Sequence, residues 1–266
     1  MIYYIIDTFA DEIFKGSPTA VCILENSISH KLMQNIAKEN NISETVFTIK
    51  NNNYYDVYWF TPECEIDFCG HAVLAVGYAI LNFDLKNSNE VYLNTKEGLL
   101  KIKKNNDLYE METPYYNLKH IDITNDMIDA LNGIVPLEAY IGRDIVCILK
   151  DENEVVNAKI NLEKIKKLDG LLFHITSSIK KDSNNIYKDY DIITRTFAPK
   201  LNVKEVDVCG SGHCHIIPLF SNKLNKYNFV SYQASNRTGI LYCNIKDNKL
   251  TISGKASLYS ISEIFI

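Results

Sequence analysis

Val208-Cys209-Gly210-Ser211-Gly212-His213 stands where an apolar strand should end and a helix begin, and Phe68-Cys69-Gly70-His71-Ala72 repeats the junction about half the chain earlier. A strand, a Cys-Gly pair and a helix start, used twice, predict two similar halves, each contributing one thiol and one helix N-terminus. The free N–H groups of a helix start favour anions, and the same environment favours a thiolate. Two such junctions could hold a carboxylate and move a proton across it.

The residues around the junctions specify the halves. After Cys69, the stretch Ala72, Leu74, Ala75, Tyr78, Ala79, Leu81 is helical in spacing and almost free of charge. A helix apolar on every face must be buried on every face. The stretch from about 211 to 221 is similar, with Pro218 expected to bend or shorten it. Elsewhere short Val-, Ile-, Tyr- and Thr-rich runs read as strands, including 44–49, 55–60, 90–95, 98–104 and 108–113, with Asn105-Asn106-Asp107 as a hairpin turn. Helices are expected at about 29–38, 124–132 and 161–168. The fold class is therefore α+β: two pseudo-symmetric domains, each a curved, largely antiparallel sheet wrapped around a central helix. The expected boundaries are 1–116 and 117–257, with a last strand at 258–266 packing back on the first domain.

Bulk composition narrows the function. The chain has 266 residues, 46% hydrophobic and 23% charged, with a net charge of −5. A nucleic-acid binder would show a basic surface, so nucleic acid is not an expected partner. The start, Met1 to Asp7, is apolar but short and lacks a basic leader, and no apolar run reaches the ~20 residues of a membrane helix. A cytoplasmic location and no membrane partner are expected. Seven cysteines are too few for a disulfide scaffold. Cys209 and His213, at i and i+4, could pair on a metal, but no matching pair stands at the first junction and no metal is expected.

Further motifs add a resemblance. Phe14-Lys15-Gly16-Ser17-Pro18-Thr19-Ala20-Val21, Ser43-Glu44-Thr45, Trp59-Phe60-Thr61-Pro62 and Cys69-Gly70-His71-Ala72 occur in order. Arg195-Thr196-Phe197-Ala198-Pro199, Gly210-Ser211 and Tyr232-Gln233-Ala234-Ser235-Asn236-Arg237 follow. This set resembles the phenazine-biosynthesis (PhzF-like) isomerase family over nearly the whole chain. The resemblance implies the diaminopimelate epimerase fold, an active site in an interdomain cleft, no cofactor, and a homodimer. It also implies that Glu44 is the acid/base, with His71 and Gly210-Ser211 at the substrate.

Two departures complicate that inference. The family's aspartate, five residues before the serine, is replaced by Val206, with Asp207 one step later. The threonine before Gly-Ser is Cys209, as in diaminopimelate epimerases, and Cys69-Gly70-His71 resembles a proline racemase motif. The catalytic candidates are thus Glu44, Cys69, Cys209, His71 and Asp207; the binding candidates are Gly70, His71, Gly210, Ser211, Gly212 and Ser17. A lone glutamate suits moving a proton from one carbon to another on the same face, whereas opposed thiols suit racemisation. Free cysteine is also an ordinary core residue, which is the expectation for Cys22, Cys64, Cys147, Cys214 and Cys243. Three functions remain open: a proton-shifting isomerase of a small amino- or hydroxy-carboxylate, a two-thiol racemase or epimerase, and a catalytically silent small-molecule binder.

Overall fold

A computed structural model describes residues 1–67, 69–182 and 184–266; Phe68, the first residue of the earlier junction, lies outside the described residues. The elements run β1 (Ile2–Thr8), β2 (Ser17–Leu24), α1 (His30–Asn40), β3 (Glu44–Asn51), β4 (Tyr54–Phe60), β5 (Glu65–Ile66), α2 (Gly70–Ala79), β6 (Glu90–Thr95), β7 (Gly98–Asn105) and β8 (Leu108–Thr113). Then come β9 (Lys119–Ile121), α3 (Asn125–Ala130), β10 (Glu138–Ile141), β11 (Ile145–Ile148), α4 (Glu152–Asn157), α5 (Leu162–Ile165), β12 (Phe173–Ser178) and β13 (Ile192–Phe197). The chain ends with α6 (Gly210–Leu224), β14 (Asn228–Gln233), β15 (Gly239–Lys246), β16 (Lys249–Gly254) and β17 (Ala256–Glu263).

The chain divides into a first unit, Met1–Glu112 with Ile252–Ile266, and a second, Thr113–Thr251. The division falls at Glu112/Thr113 and Thr251/Ile252, a few residues before the expected 116/117 and 257/258.

Within the first unit, β17 pairs antiparallel with β1. From there the sheet runs β1–β2 antiparallel, β2–β3 parallel, β3–β4 antiparallel, β4–β6 parallel and β6–β7 antiparallel. In the second unit, β10–β11 is antiparallel, β11–β12 parallel, β12–β13 antiparallel, β13–β14 parallel and β14–β15 antiparallel. The order of orientations is the same. In both, the long buried helix crosses between the fourth and fifth strands of the series, because a parallel pair needs a crossover.

The register makes the repeat residue-specific. The fourth strand ends at Phe60 in one unit and Phe197 in the other, each followed two residues later by proline. Phe60 faces Thr45, which faces Ala20; Phe197 faces Phe173, which faces Ile145. One residue earlier along each strand, Glu44 therefore corresponds to Leu172, and Thr19 to Asp144.

The central helices are buried as their composition requires. His71 through Gly77 and Ala79 are buried in α2, and each large aliphatic side chain there contributes about 1.5–3 kcal/mol by leaving water. α2 runs on into a wider helical turn at Ile80–Asp84. α6 is continuous over 15 residues with Pro218 inside it, so of the two expected effects the proline does not shorten the helix. Pro218 has no N–H for the carbonyl of Cys214, and the Tyr116 N–H donates to that oxygen instead at 2.9 Å.

Some short elements differ from expectation. The charged helix near 161–168 is only the single turn of α5. α4 and β9 were not expected from local pattern; β9 exists through its pairing with β10.

Candidate active site

In the first unit the chemistry gathers where α2 begins. Glu44 is the first residue of β3, in register with Thr19 of β2. Its neighbour Ser43 donates from its hydroxyl to the Pro18 carbonyl at 2.9 Å, fixing the strand start to the preceding turn. That turn needs Gly16: its φ is +66°, and a Cβ there would lie 2.0 Å from the Thr8 carbonyl oxygen.

His71, on the first turn of α2, reaches Glu44 with Nε2 at 2.6 Å from Oε2. The Cys69 Sγ lies 3.4 Å from His71 Nδ1. The Glu44 and His71 side chains are 13% and 11% exposed, so the group is nearly closed yet touches solvent.

Electrostatics set the resting charges. Burial pushes the Glu44 carboxyl up, but the charge and hydrogen bond of His71, with bonds from Ser43 and Cys69, outweigh it and hold the group below its usual range. Burial pulls His71 down, but Cys69 and Glu44 raise it well above an ordinary imidazole. Burial and then the Glu44 charge push the Cys69 thiol up. These directions favour a Glu44 carboxylate against a protonated His71, with ionisation of Cys69 opposed by burial and by the Glu44 charge. The helix start alone would favour a thiolate; here burial is the larger effect.

In the second unit α6 begins at a different arrangement. Cys209 is buried, and its Sγ caps the helix by accepting the Gly212 N–H at 3.3 Å. It packs with Leu172, Ala198 and Val206, so Leu172 lies against Cys209 where Glu44 lies beside Cys69. Burial raises this thiol too, although Ser211 and the Gly212 amide act against it. Gly212 has no room for a side chain, because a Cβ would lie 2.6 Å from the His174 ring.

Ser211, the counterpart of His71 on the helix, accepts from Arg143 Nη2 at 3.2 Å. Arg143 grips Asp144 with Nε at 3.0 Å and Nη2 at 2.6 Å. Asp144 is fully buried and also meets His174 Nε2 at 3.2 Å. Burial alone would raise the Asp144 carboxyl, but the bonds from His174 and Arg143 hold it far below the usual range.

The sequence profile of the phenazine biosynthesis-like protein family matches residues 6–261. The chain belongs to that family. An uncharacterized isomerase of Halalkalibacterium halodurans is 34% identical over 99% of this chain and 98% of its own length. The crystal structure of a PhzF-family phenazine biosynthesis protein from Enterococcus faecalis is similar with a TM-score of 0.94 and 40% identity, over 100% of this chain and 99% of that one. A predicted epimerase of Pseudomonas aeruginosa has the same fold, at a TM-score of 0.71 and 18% identity, over 100% of this chain and 99% of that one. This PhzF-family chain is an isomerase with the epimerase-like α+β fold. No helix among the described residues is long and apolar enough to cross a membrane.

The structure brings Glu44, Cys69 and His71 together, with Gly70 opening α2. Ser17 starts β2 and is buried; its carbonyl accepts from the Thr8 hydroxyl. Gly210, Ser211 and Gly212 open α6 beside Cys209. Val206 packs in the apolar group on Cys209, while the backbone carbonyl of Asp207 accepts from the Ser235 hydroxyl at 2.5 Å.

His213 is not placed to share a metal with the Cys209 sulfur. Its Nδ1 donates to the Cys209 carbonyl at 2.7 Å and its Nε2 accepts from the Ser231 hydroxyl at 2.8 Å. The metal-type donor sets among the described residues are Glu44, Cys69, His71 and Asp144, His174, His215. In the second set a cation would have to displace Arg143 from Asp144.

Arg143, Asp144, His174 and Tyr116 did not stand out in the sequence. Gly142-Arg143-Asp144 joins β10 to β11. Its charge, far from any motif, was the available signal.

Proposed function

We propose that this isomerase shifts a proton between carbons of a small amino- or hydroxy-carboxylate, with Glu44 as the acid/base. The supporting observation is the Glu44–His71 pair: a nearly buried carboxylate in its basic form, 2.6 Å from a histidine held protonated. Glu44 takes the proton from carbon and becomes neutral, while negative charge spreads onto the substrate's carboxylate as an enolate. The His71 imidazolium, relieved of its counter-charge on Glu44, then faces that developing charge, where a fixed cation stabilises it most. Glu44, whose side chain still touches solvent so that the captured proton can exchange, then returns a proton to a second carbon on the same face, completing the shift without a second acid.

The two-thiol reading asks Cys69 or Cys209 to be a thiolate. Burial acts against that at both positions, and the Cys209 sulfur is engaged as a helix cap. The family resemblance further suggests a homodimer, which a solution mass of twice the chain would support.

Candidate carboxylates incubated with the enzyme in deuterated water test the reaction. Label at a new carbon is expected. Glu44→Gln should reduce exchange by about 10²–10⁴-fold, the usual contribution of a positioned acid/base, and Cys69→Ser far less. Label confined to the original alpha carbon, lost in both Cys69→Ser and Cys209→Ser, would replace this reading with racemisation. Bound ligand without any label would leave a silent binder.

A further inference from the structure

The geometry points to Arg143 as the residue that selects the ligand's carboxylate, a guanidinium fixed along one edge by Asp144 and on one face by Tyr116, with its other edge open beside Ser211. This rests on the reading that the ligand is a carboxylate.

The donor inventory comes first. A guanidinium has five N–H donors in a rigid fork. In Arg143 the Nε donor and one Nη2 donor meet the two Asp144 oxygens, and the second Nη2 donor meets Ser211 Oγ. Both Nη1 donors are without a protein partner among the described residues, and the side chain is 35% exposed.

The carboxylate behind that fork is buried and fully engaged. Asp144 accepts the Leu172 N–H at 3.2 Å as well as its bond with His174, whose other ring nitrogen is 2.9 Å from the Thr196 hydroxyl. Tyr116 places its ring 5.5 Å from the guanidinium carbon. The ring also stacks on His215 with centroids 4.3 Å apart and an interplanar angle of 15°. Tyr116 is itself anchored through its N–H to Cys214, on the carbonyl that Pro218 leaves open. Neutralising Asp144 needs only a positive charge, which a lysine supplies as a point charge. A stacked, edge-anchored arginine presents Nη1 outward, and the Ser211 hydroxyl that accepts from Nη2 keeps its own proton to donate, so one carboxylate oxygen can take a charge-assisted bond from Nη1 and the other a bond from Ser211. Because the fork is already immobile, little ordering is lost when it binds.

The internal repeat supports the assignment. The residue two after the cysteine bonds to a charged group in both units: His71 to Glu44, and Ser211 to Arg143. Where the first unit has Glu44 the second has Leu172, and its charged pair stands on the adjacent strand edge at Arg143-Asp144. The first junction carries proton chemistry; the second presents a fixed cation.

Succinate and its neutral counterpart succinamide are suitable probes, titrated into the full-length enzyme by calorimetry. Wild type should bind succinate and discriminate against succinamide. Arg143→Gln should weaken succinate by about 10- to 100-fold, the worth of a charge-assisted bond pair, with succinamide unchanged. Arg143→Lys keeps the charge on Asp144, and so the fold, but loses the fork; it should also weaken succinate, with a wild-type unfolding midpoint. The assignment is overturned if wild type does not bind succinate preferentially, or if both variants bind it as wild type does. Glu44→Gln separates the two readings, because it should reduce isotope exchange by about 10²–10⁴-fold and keep Arg143-dependent binding. Exchange with no Arg143 dependence sinks the inference alone; Arg143-dependent binding with no exchange from any carboxylate sinks the isomerase mechanism alone.

Discussion

Glu44 and His71 are legible in the sequence as separate motifs, but their charge states are not. A Ser-Glu-Thr strand start could as well be exposed, and a histidine after Cys-Gly could simply cap a helix. What decides is the fold's placement of both within 2.6 Å at low exposure. Their linkage to pH has a definite sign. Glu44 is lowered from 4.5, so its contribution is present above pH 4.5 and lost as pH falls through its folded value. His71 is raised from 6.5, so its contribution is full below pH 6.5 and lost as pH rises through its folded value. The pair therefore stabilises the fold most between those limits. Glu44→Gln should lower stability there by about 3 kcal/mol, the cost of leaving one buried charge unpaired. Melting temperatures of wild type and variant, taken from pH 4 to 9, should differ most between pH 4.5 and 6.5 and converge above it. A difference that does not vary with pH would mean that the pair is not ionised as described.

At the scale of elements, the two buried helices are legible because their lack of charge leaves no other place for them. The contacts that hold their first turns are not, since they come from far along the chain. Arg143 meets Ser211 across 68 residues. Pro218 reads as a helix breaker, yet its effect is to free a carbonyl for Tyr116. Gln233 is the clearest case. As part of Tyr-Gln-Ala-Ser it could be any strand residue, but it is fully buried, its Oε1 accepts the Cys209 N–H at 3.0 Å and its Nε2 donates to the Val206 carbonyl at 2.9 Å. One amide thus braces the loop on both sides of Asp207. Gln233→Leu would strip partners from two backbone groups, each worth about 1–3 kcal/mol when orphaned in a buried site. The urea unfolding midpoint of Gln233→Leu should fall accordingly, and an unchanged midpoint would show that Gln233 does not brace the junction.

For the whole molecule, the repeated order of strand orientations explains how one fold holds two unlike chemistries, since each unit sets its own protonation equilibria. The first unit gains from ionisation, through Glu44 and His71. The second suppresses it at two histidines. Burial lowers His213 from 6.5 to about 4, despite its bond to the Cys209 carbonyl, and lowers His215 to about 4 as well, despite the nearby Asp144 charge. Between pH 6.5 and 4 the unfolded chain binds protons at these positions that the folded unit refuses, so acidification costs the second unit stability across that window. The Glu44–His71 pair keeps its contribution down to about pH 4.5. Opening free energies from amide hydrogen exchange should therefore fall first in β13, β14 and β15 as pH drops from 7 to 4.5, with β1, β2 and β3 holding longer. His213→Gln, which removes one of the two refused protons, should flatten the decline in the second unit. Simultaneous loss in both sets of strands, or earlier loss in β1–β3, would mean that the histidines do not control the acid response and that the two units unfold as one.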